Sequence, residues 1–207
     1  MGLRERKKQR TRELISSTAW SLFAERGFDG VTVAEVARAA DVAEATVFNY
    51  FPTKEDLVYG RMEAFEAELL QAIRTRPAGE SVLAAFGRFV LQPRGYLAAR
   101  DADALATIAR VITTSPALLA REHEVFARYT ESLAALLAEE TAAAPGDVAP
   151  RVAADALIAV HRALVDYVRR QSLAGREITR LVRDFRAQGK QAIALLENGL
   201  GDYDVRD

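Results

Sequence analysis

The sequence predicts an all-α protein. Three observations carry this. Ala, Leu, Arg and Glu, all strong helix formers, dominate the 207 residues. Apolar residues recur at spacings of three and four along most of the chain. No segment alternates Val, Ile, Thr and Tyr against polar residues as a half-buried strand would.

The elements follow in order. A first helix is predicted over about residues 4–26, with Ile15, Ala19, Leu22 and Phe23 as its apolar stripe and Gly27 as its stop. After the turn Phe28-Asp29-Gly30, Thr32 and Glu35 have the spacing of a capping box, so a second helix starts at Thr32 and turns Val33, Val36, Ala37 and Ala40 inward. Asp41-Val42 turns the chain into a third helix, about Ala43 to Tyr50, which Phe51-Pro52 ends. Thr53 caps a long fourth helix over about 54–74. Thr75 to Gly79 is the clearest internal break. Further helices are predicted over about 80–91, 102–113, 116–142, 149–173 and 177–198, separated by Pro93-Arg94-Gly95, Ser115-Pro116, Ala144 to Asp147 and Gly175. This makes nine.

Composition narrows the chemistry. With no cysteine, disulfides, thiolate catalysis and Cys-bound metals are excluded. The charged N-terminus has no signal-peptide core, and no apolar run reaches the ~18 residues of a membrane span. The expectation is a soluble, cytoplasmic protein with no membrane partner. Net charge is only −1, yet residues 1–12 hold Arg4, Arg6, Lys7, Lys8, Arg10 and Arg12 against Glu5 alone. A basic arm of this kind can follow phosphates.

Two short helices joined by a tight turn, between longer helices, have the form of a helix-turn-helix. Small Ala37 lets the second and third helices cross closely, Val42 and Val47 bury beneath the first, and Phe51 plugs the core. The outer face of the third helix then presents Glu44, Ala45, Thr46, Phe48, Asn49 and Tyr50. Asn can pair with adenine through two hydrogen bonds, Thr and aromatic groups can touch thymine methyls, and hydroxyls can reach phosphates. The alternative for this face is protein interaction.

The runs Leu22-Phe23-Ala24-Glu25-Arg26-Gly27-Phe28, Thr32-Val33-Ala34-Glu35-Val36-Ala37 and Thr46-Val47-Phe48-Asn49-Tyr50-Phe51-Pro52-Thr53-Lys54-Glu55-Asp56-Leu57 resemble the DNA-binding domain of the TetR family of regulators, over roughly residues 8–60. The resemblance implies a homodimeric repressor released from a near-palindromic operator by a small ligand. It implies a DNA-binding domain over 1–56 and an effector-binding and dimerisation domain over 57–207. The DNA-contacting set carried over is Thr32, Thr46, Phe48, Asn49, Tyr50 and Lys54, with Tyr50 and Lys54 on phosphates; Arg10, Glu44 and Ala45 complete the expected interface. Three positions depart from the family pattern: Asp41 stands where Gly is frequent, Ala43 where a polar cap is usual, and Glu44 where a neutral or basic residue is common. The segments Leu3 to Lys8 and Ile112 to Leu118 resemble a branch of actinobacterial regulators associated with acyl-CoA-like ligands. They suggest a hydrophobic or acyl-type effector.

In the rest of the chain, Phe89, Arg110, Phe126, Tyr129 and His161 are the candidate effector contacts. The aromatic residues also fit a plain core, and Arg110 a solvated surface. His161 has apolar helical neighbours, so a core histidine, a polar anchor in a pocket and a metal ligand are its three readings. His123, between two glutamates, reads as surface. No histidine pair or Glu-x-x-His spacing marks a metal site, and no cofactor is expected. Ala156 and Ala163 on the eighth predicted helix, and Val182, Phe185, Gly189, Ala192 and Leu196 on the ninth, form the candidate dimer seam; an intramolecular core explains the same pattern. A helical enzyme is disfavoured, since nucleophile elbow, Gly-rich phosphate loop and metal set are all missing. A DNA-binding protein without effector control is the remaining alternative.

Overall fold

The computed structural model describes residues 2–60, 62–94, 97, 98 and 100–199. Ten helices lie among them: α1 (Leu3–Arg26), α2 (Val33–Ala39), α3 (Glu44–Tyr50), α4 (Asp56–Tyr59), α5 (Met62–Arg74), α6 (Val82–Val90), α7 (Ala102–Thr113), α8 (Pro116–Glu140), α9 (Ala149–Leu173) and α10 (Ile178–Asn198). The single helix expected over 54–74 is thus two. α4 is one turn long and ends at Gly60, where a Cβ would lie 3.0 Å from Arg12 Nη2 and 3.1 Å from the Phe51 ring. A Cβ there would also lie 2.6 Å from Asp56 O, so the position is closed to a larger residue. The chain divides into two compact units, Met1–Glu63 with Arg110–His123, and Ala64–Ala109 with Glu124–Asp207. The first unit therefore reaches beyond residue 56 and takes in a second segment.

In the first unit α1 packs on α2 and α4, and α2 on α3. Ile15, Ala19 and Phe23 are fully buried, with Phe28, Val36, Ala37, Ala40, Val47 and Phe51 around them. Leu22, Val33 and Val42, expected inside, are only half-buried. Both halves of the Thr32–Glu35 capping box form. The turn between α2 and α3 is a Schellman closure: the amide of Asp41 donates to Arg38 O and that of Val42 to Ala37 O, with Asp41 at φ 53. Asp is among the few non-glycine residues that enter this region readily, which is why the turn survives without glycine. Ala43 caps α3 with no side-chain hydrogen bond. Thr53 and Asp56 make a reciprocal pair, the Thr53 amide donating to Asp56 Oδ2 (3.0 Å) and the Asp56 amide to Thr53 Oγ1 (3.3 Å). Residues 110–123 are tied to this unit by polar contacts: Ser115 Oγ donates to Asp29 (2.8 Å), Arg121 to Asp56 (2.9 Å), and Tyr59 Oη to Leu118 O (3.1 Å).

In the second unit α9 and α10 pack along each other and both meet α6. At Gly189 of α10 a Cβ would lie 2.1 Å from Leu91 Cδ2 and 3.4 Å from Leu164 Cδ1, so these two side chains close directly over the glycine. Leu157, Ile158 and Leu164 of α9 and Leu181, Val182 and Phe185 of α10 are buried within this one chain. Glu66 of α5 accepts from Arg128 (3.0 Å) and Ser132 (2.6 Å) of α8, and Arg76 pairs with Glu140 (2.6 Å).

Candidate nucleic-acid interface

The outward face of α3 follows from its one buried residue. Val47 anchors the helix, and at ~100° per residue the positions away from it face solvent. Glu44, Ala45, Phe48 and Asn49 are exposed, Phe48 at 44 %, an unusual exposure for so large a ring, while Thr46 and Tyr50 are half-buried. Thr46, Asn49 and Tyr50 line an open concavity together with Glu5, Lys7, Lys8 and Thr11 of α1. Hydrogen-bonding side chains of α3 and the cations of the arm thus share one groove.

Arg10 is exposed, whereas Arg12 is half-buried. Its guanidinium turns inward, donates to Tyr50 O (3.1 Å) and Gly60 O (3.0 Å), and lies 4.7 Å from the centre of the Phe51 ring. It therefore ties α1 to the C-terminal end of α3 and to the end of α4. The signal is in the sequence: Arg12 continues the stripe Ile15, Ala19, Phe23 by one further turn. Lys7, Lys8 and Thr11 are legible there only as part of a basic segment.

Two expected contacts are already engaged. The Thr32 hydroxyl accepts from the Glu35 amide (3.2 Å) and donates to Glu35 Oε2 (2.9 Å). Its amide donates to the same carboxylate, which also pairs with Arg26 (2.8 Å). These bonds, led by the Thr32 backbone amide, hold the Glu35 carboxyl down to about 2. Lys54 Nζ donates to Phe28 O (2.7 Å) and sits 4.0 Å from the Phe28 ring centre. Desolvation lowers its pKa, opposed by Asp29, Glu55 and Glu35. It keeps N–H groups to offer, but from a fixed position rather than as a mobile cation. For Asp56, burial raises the pKa, and Thr53 with Arg121 outweighs it, so the carboxyl stays below its ordinary value.

Four of the five candidate effector residues meet in the second unit. Phe89, Phe126, Tyr129 and His161 cluster around Phe65, which sequence reasoning missed. Phe65, Leu69 and Ile73 repeat at spacing four, the signal that could have found it. Arg94, also missed, lies 3.9 Å above the Phe89 ring and pairs with Glu68 (2.9 Å). Arg110 is exposed and groups with the first unit. Among the described residues no cluster of His, Asp or Glu could hold a metal ion, and no helix is long and apolar enough to cross a membrane. Of the candidate seam, Val182, Phe185 and Gly189 are buried inside the single chain, Ala156, Ala192 and Leu196 are half-buried, and Ala163 is exposed.

Residues 15–59 match the model for bacterial regulatory proteins of the tetR family, and residues 80–196 match that for the MftR C-terminal domain. The HTH-type transcriptional regulator TcmR of Streptomyces glaucescens is 32% identical over 180 residues, covering 82% of this chain and 76% of that protein. In fold, the chain is similar to the fatty acid degradation regulator FadR of Bacillus halodurans (TM-score 0.55, 24% identity, 91% and 98% of the two chains). It is also similar to FadR of Bacillus subtilis, solved in complex with stearoyl-CoA (TM-score 0.54, 19% identity, 89% and 96%). With one family model spanning its helix-turn-helix, a second covering more than half its length, and a regulator related to it along most of both sequences, the chain belongs to the TetR family of transcriptional regulators, non-enzymatic proteins that bind DNA.

Proposed function

We propose that this protein is a homodimeric repressor that holds a near-palindromic operator through α3 and the basic N-terminal arm, and releases it when a small hydrophobic molecule enters its helical body. DNA binding is assigned to residues 1–56, and effector binding and self-association to 57–207. The observation that carries the reading is the groove in which Thr46, Asn49 and Tyr50 of α3 stand beside Lys7 and Lys8 of α1. Base-edge groups and phosphate-seeking cations on one open surface are what specific duplex binding needs. Asn49 is the base reader, Thr46 and Phe48 are apolar and hydroxyl contacts, and Tyr50, Lys7, Lys8 and Arg10 take phosphates. Lys54 steadies the turn at Phe28 and contributes to phosphate binding secondarily.

Two subunits would set their α3 helices about one DNA turn apart, ~34–36 Å or a multiple of it, so half-sites should repeat at that interval. Self-association is best supported on the surface left open by α9. Val152 is 61 % exposed, and Ala153, Ala159 and Ala163 are exposed beside it. A stripe of small and apolar side chains lets helices from two copies approach closely. The ligand would act by favouring one spacing of the two DNA-binding units over another, typically by ~1–3 kcal/mol. Stearoyl-CoA bound to a protein of the same fold is compatible with a hydrophobic effector.

The test is selection of bound duplexes from a random pool, followed by footprinting. The expected product is an inverted repeat protected on one face of the DNA. Recovery of unrelated sequences with no repeat would remove both the dimer and the base-reading role of α3.

A further inference from the structure

The rings of the second unit form one continuous set around Phe65. That ring lies nearly parallel to His161 of α9 (centroids 4.6 Å, planes 15° apart) and to Tyr129 of α8 (5.6 Å, 26°). Phe89 of α6 meets it edge-on (5.3 Å, 62°). Phe126 closes the set, edge-on to Tyr129 (6.1 Å, 84°) and to His161 (5.7 Å, 77°). Phe89, Phe126 and Tyr129 are buried, while Phe65 and His161 are only half-buried. The stack therefore opens to solvent at its Phe65–His161 end.

Three features separate it from ordinary core packing. The first is the imidazole. No hydrogen bond from either His161 nitrogen reaches any described residue, and the half-buried ring leaves them open to solvent or to a polar partner. Desolvation, with Arg94 adding to it, pushes its pKa down to about 4, so at neutral pH it offers one N–H donor and one lone pair. The second is the geometry. Parallel rings at stacking distance favour flat, polarisable partners, whereas an alkyl chain needs a tube of aliphatic side chains. The third is Phe65 itself: half-exposed and carried on α5 alone, it lies flat against His161 as a bound aromatic plate would.

We propose that this stack is the effector site and that it takes a planar aromatic molecule bearing a hydroxyl or carbonyl oxygen. The ligand displaces Phe65 from its place against His161, lies flat in its stead, and hydrogen-bonds the imidazole through that oxygen. Arg94 at the rim favours an electron-rich or phenolate edge. Because Phe65 sits one turn into α5, its ejection requires that helix to shift. The assignment rests on the effector-controlled reading above.

The probes are 1,8-dihydroxyanthraquinone, 2-naphthol and 1,4-naphthoquinone, with stearoyl-CoA as the acyl competitor, each titrated into the full-length protein by calorimetry. The anthraquinone's visible absorption band is followed in parallel. At least one aromatic probe should bind more tightly than about 100 µM, and bound anthraquinone should show the red shift and lowered intensity of a stacked chromophore. His161→Phe should keep the stacking signature and bind about tenfold more weakly. Phe65→Leu should bind a few-fold more tightly, because the competing ring is gone; a weaker Phe65→Leu would make Phe65 a wall and overturn the displacement. Folding of both variants is checked by circular dichroism. If no aromatic probe binds while stearoyl-CoA binds and releases DNA, the aromatic assignment fails and effector control stands. If an aromatic probe binds with the stated variant pattern yet DNA affinity never changes, the site stands and effector control fails.

Discussion

Replacing Arg12 with Met keeps the length and apolar stem of the side chain but removes its charge and donors. The wild-type guanidinium makes two hydrogen bonds to backbone carbonyls, at 3.1 and 3.0 Å, and lies over the Phe51 ring at 4.7 Å. A hydrogen bond involving a charged group contributes about 1.5–3 kcal/mol, and a partly exposed cation–π contact about 0.5–1. The three share one half-buried side chain and do not add fully, so about 2–3 kcal/mol is expected. That corresponds to a fall in melting temperature of about 4–12 °C if the unfolding unit is of this chain's size. Because Tyr50 O loses its tether, the C-terminal end of α3 is also freed, and operator affinity should fall about 10–100-fold with it. The diagnostic readout is salt dependence. Arg12 faces inward, so the slope of log affinity against log salt should stay that of the wild type even as affinity drops. Circular dichroism at 222 nm gives the first quantity and fluorescence anisotropy over a salt series the second. Unchanged melting together with a slope reduced by about one would make Arg12 a phosphate contact and refute the clamp.

Other expectations follow from the same geometry. Glu35 holds its proton only below about 2 when folded, against 4.5 ordinarily. Its contribution to stability is therefore complete above 4.5 and is lost as pH falls from there towards 2. Glu35→Gln should flatten melting temperature against pH in that window; a variant with the wild-type acid limb would show that the capping box is not what titrates. His161 has the opposite cause but the same direction, since its folded pKa of about 4 lies below the ordinary 6.5 and the unfolded chain takes up the proton first. Stability should decline between pH 6.5 and 4, and His161→Phe should remove that decline, as measured by urea unfolding at several pH values. Phe185→Asp puts an unpaired carboxylate into a core position 7 % exposed and should lower stability by roughly 3–5 kcal/mol. Ala163→Glu, on the exposed side of α9, should leave melting nearly unchanged while shifting sedimentation from dimer to monomer; a dimer that persists would place the interface elsewhere.

Much of the fold is legible in the sequence because local chemistry and tertiary packing agree. Ile15, Ala19 and Phe23 repeat at helical spacing and are buried; Thr32 and Glu35 have capping spacing and cap; Asp41 tolerates the left-handed turn and adopts it. Where expectation and structure part, a tertiary partner decides. Gly60 is a local weak point that the surrounding apolar pattern reads through, and Arg12 and Phe51 crowd it from elsewhere in the chain. Arg12 reads as a phosphate-seeking cation because its charge outweighs its place on the stripe Ile15, Ala19, Phe23, and its carbonyl partners lie 38 and 48 residues away. Val182, Phe185 and Gly189 form an apolar stripe that suits a dimer seam or an internal core equally well, and only the packing of α10 against α9 and α6 buries them within one chain. Phe89, Phe126, Tyr129 and His161 can be named as a group from composition, but Phe65, the ring that joins them, can be assigned to the set only once α5 is placed.

The central claim is that the exposed face of α3 reads bases. Its most direct test is Asn49→Ala, measured by anisotropy on the selected operator and on a random duplex at matched salt. A lost bidentate base contact corresponds to about 1–3 kcal/mol, so operator affinity should fall roughly 5–150-fold while random-duplex affinity stays within twofold. Equal losses on both duplexes, or none on either, would contradict it.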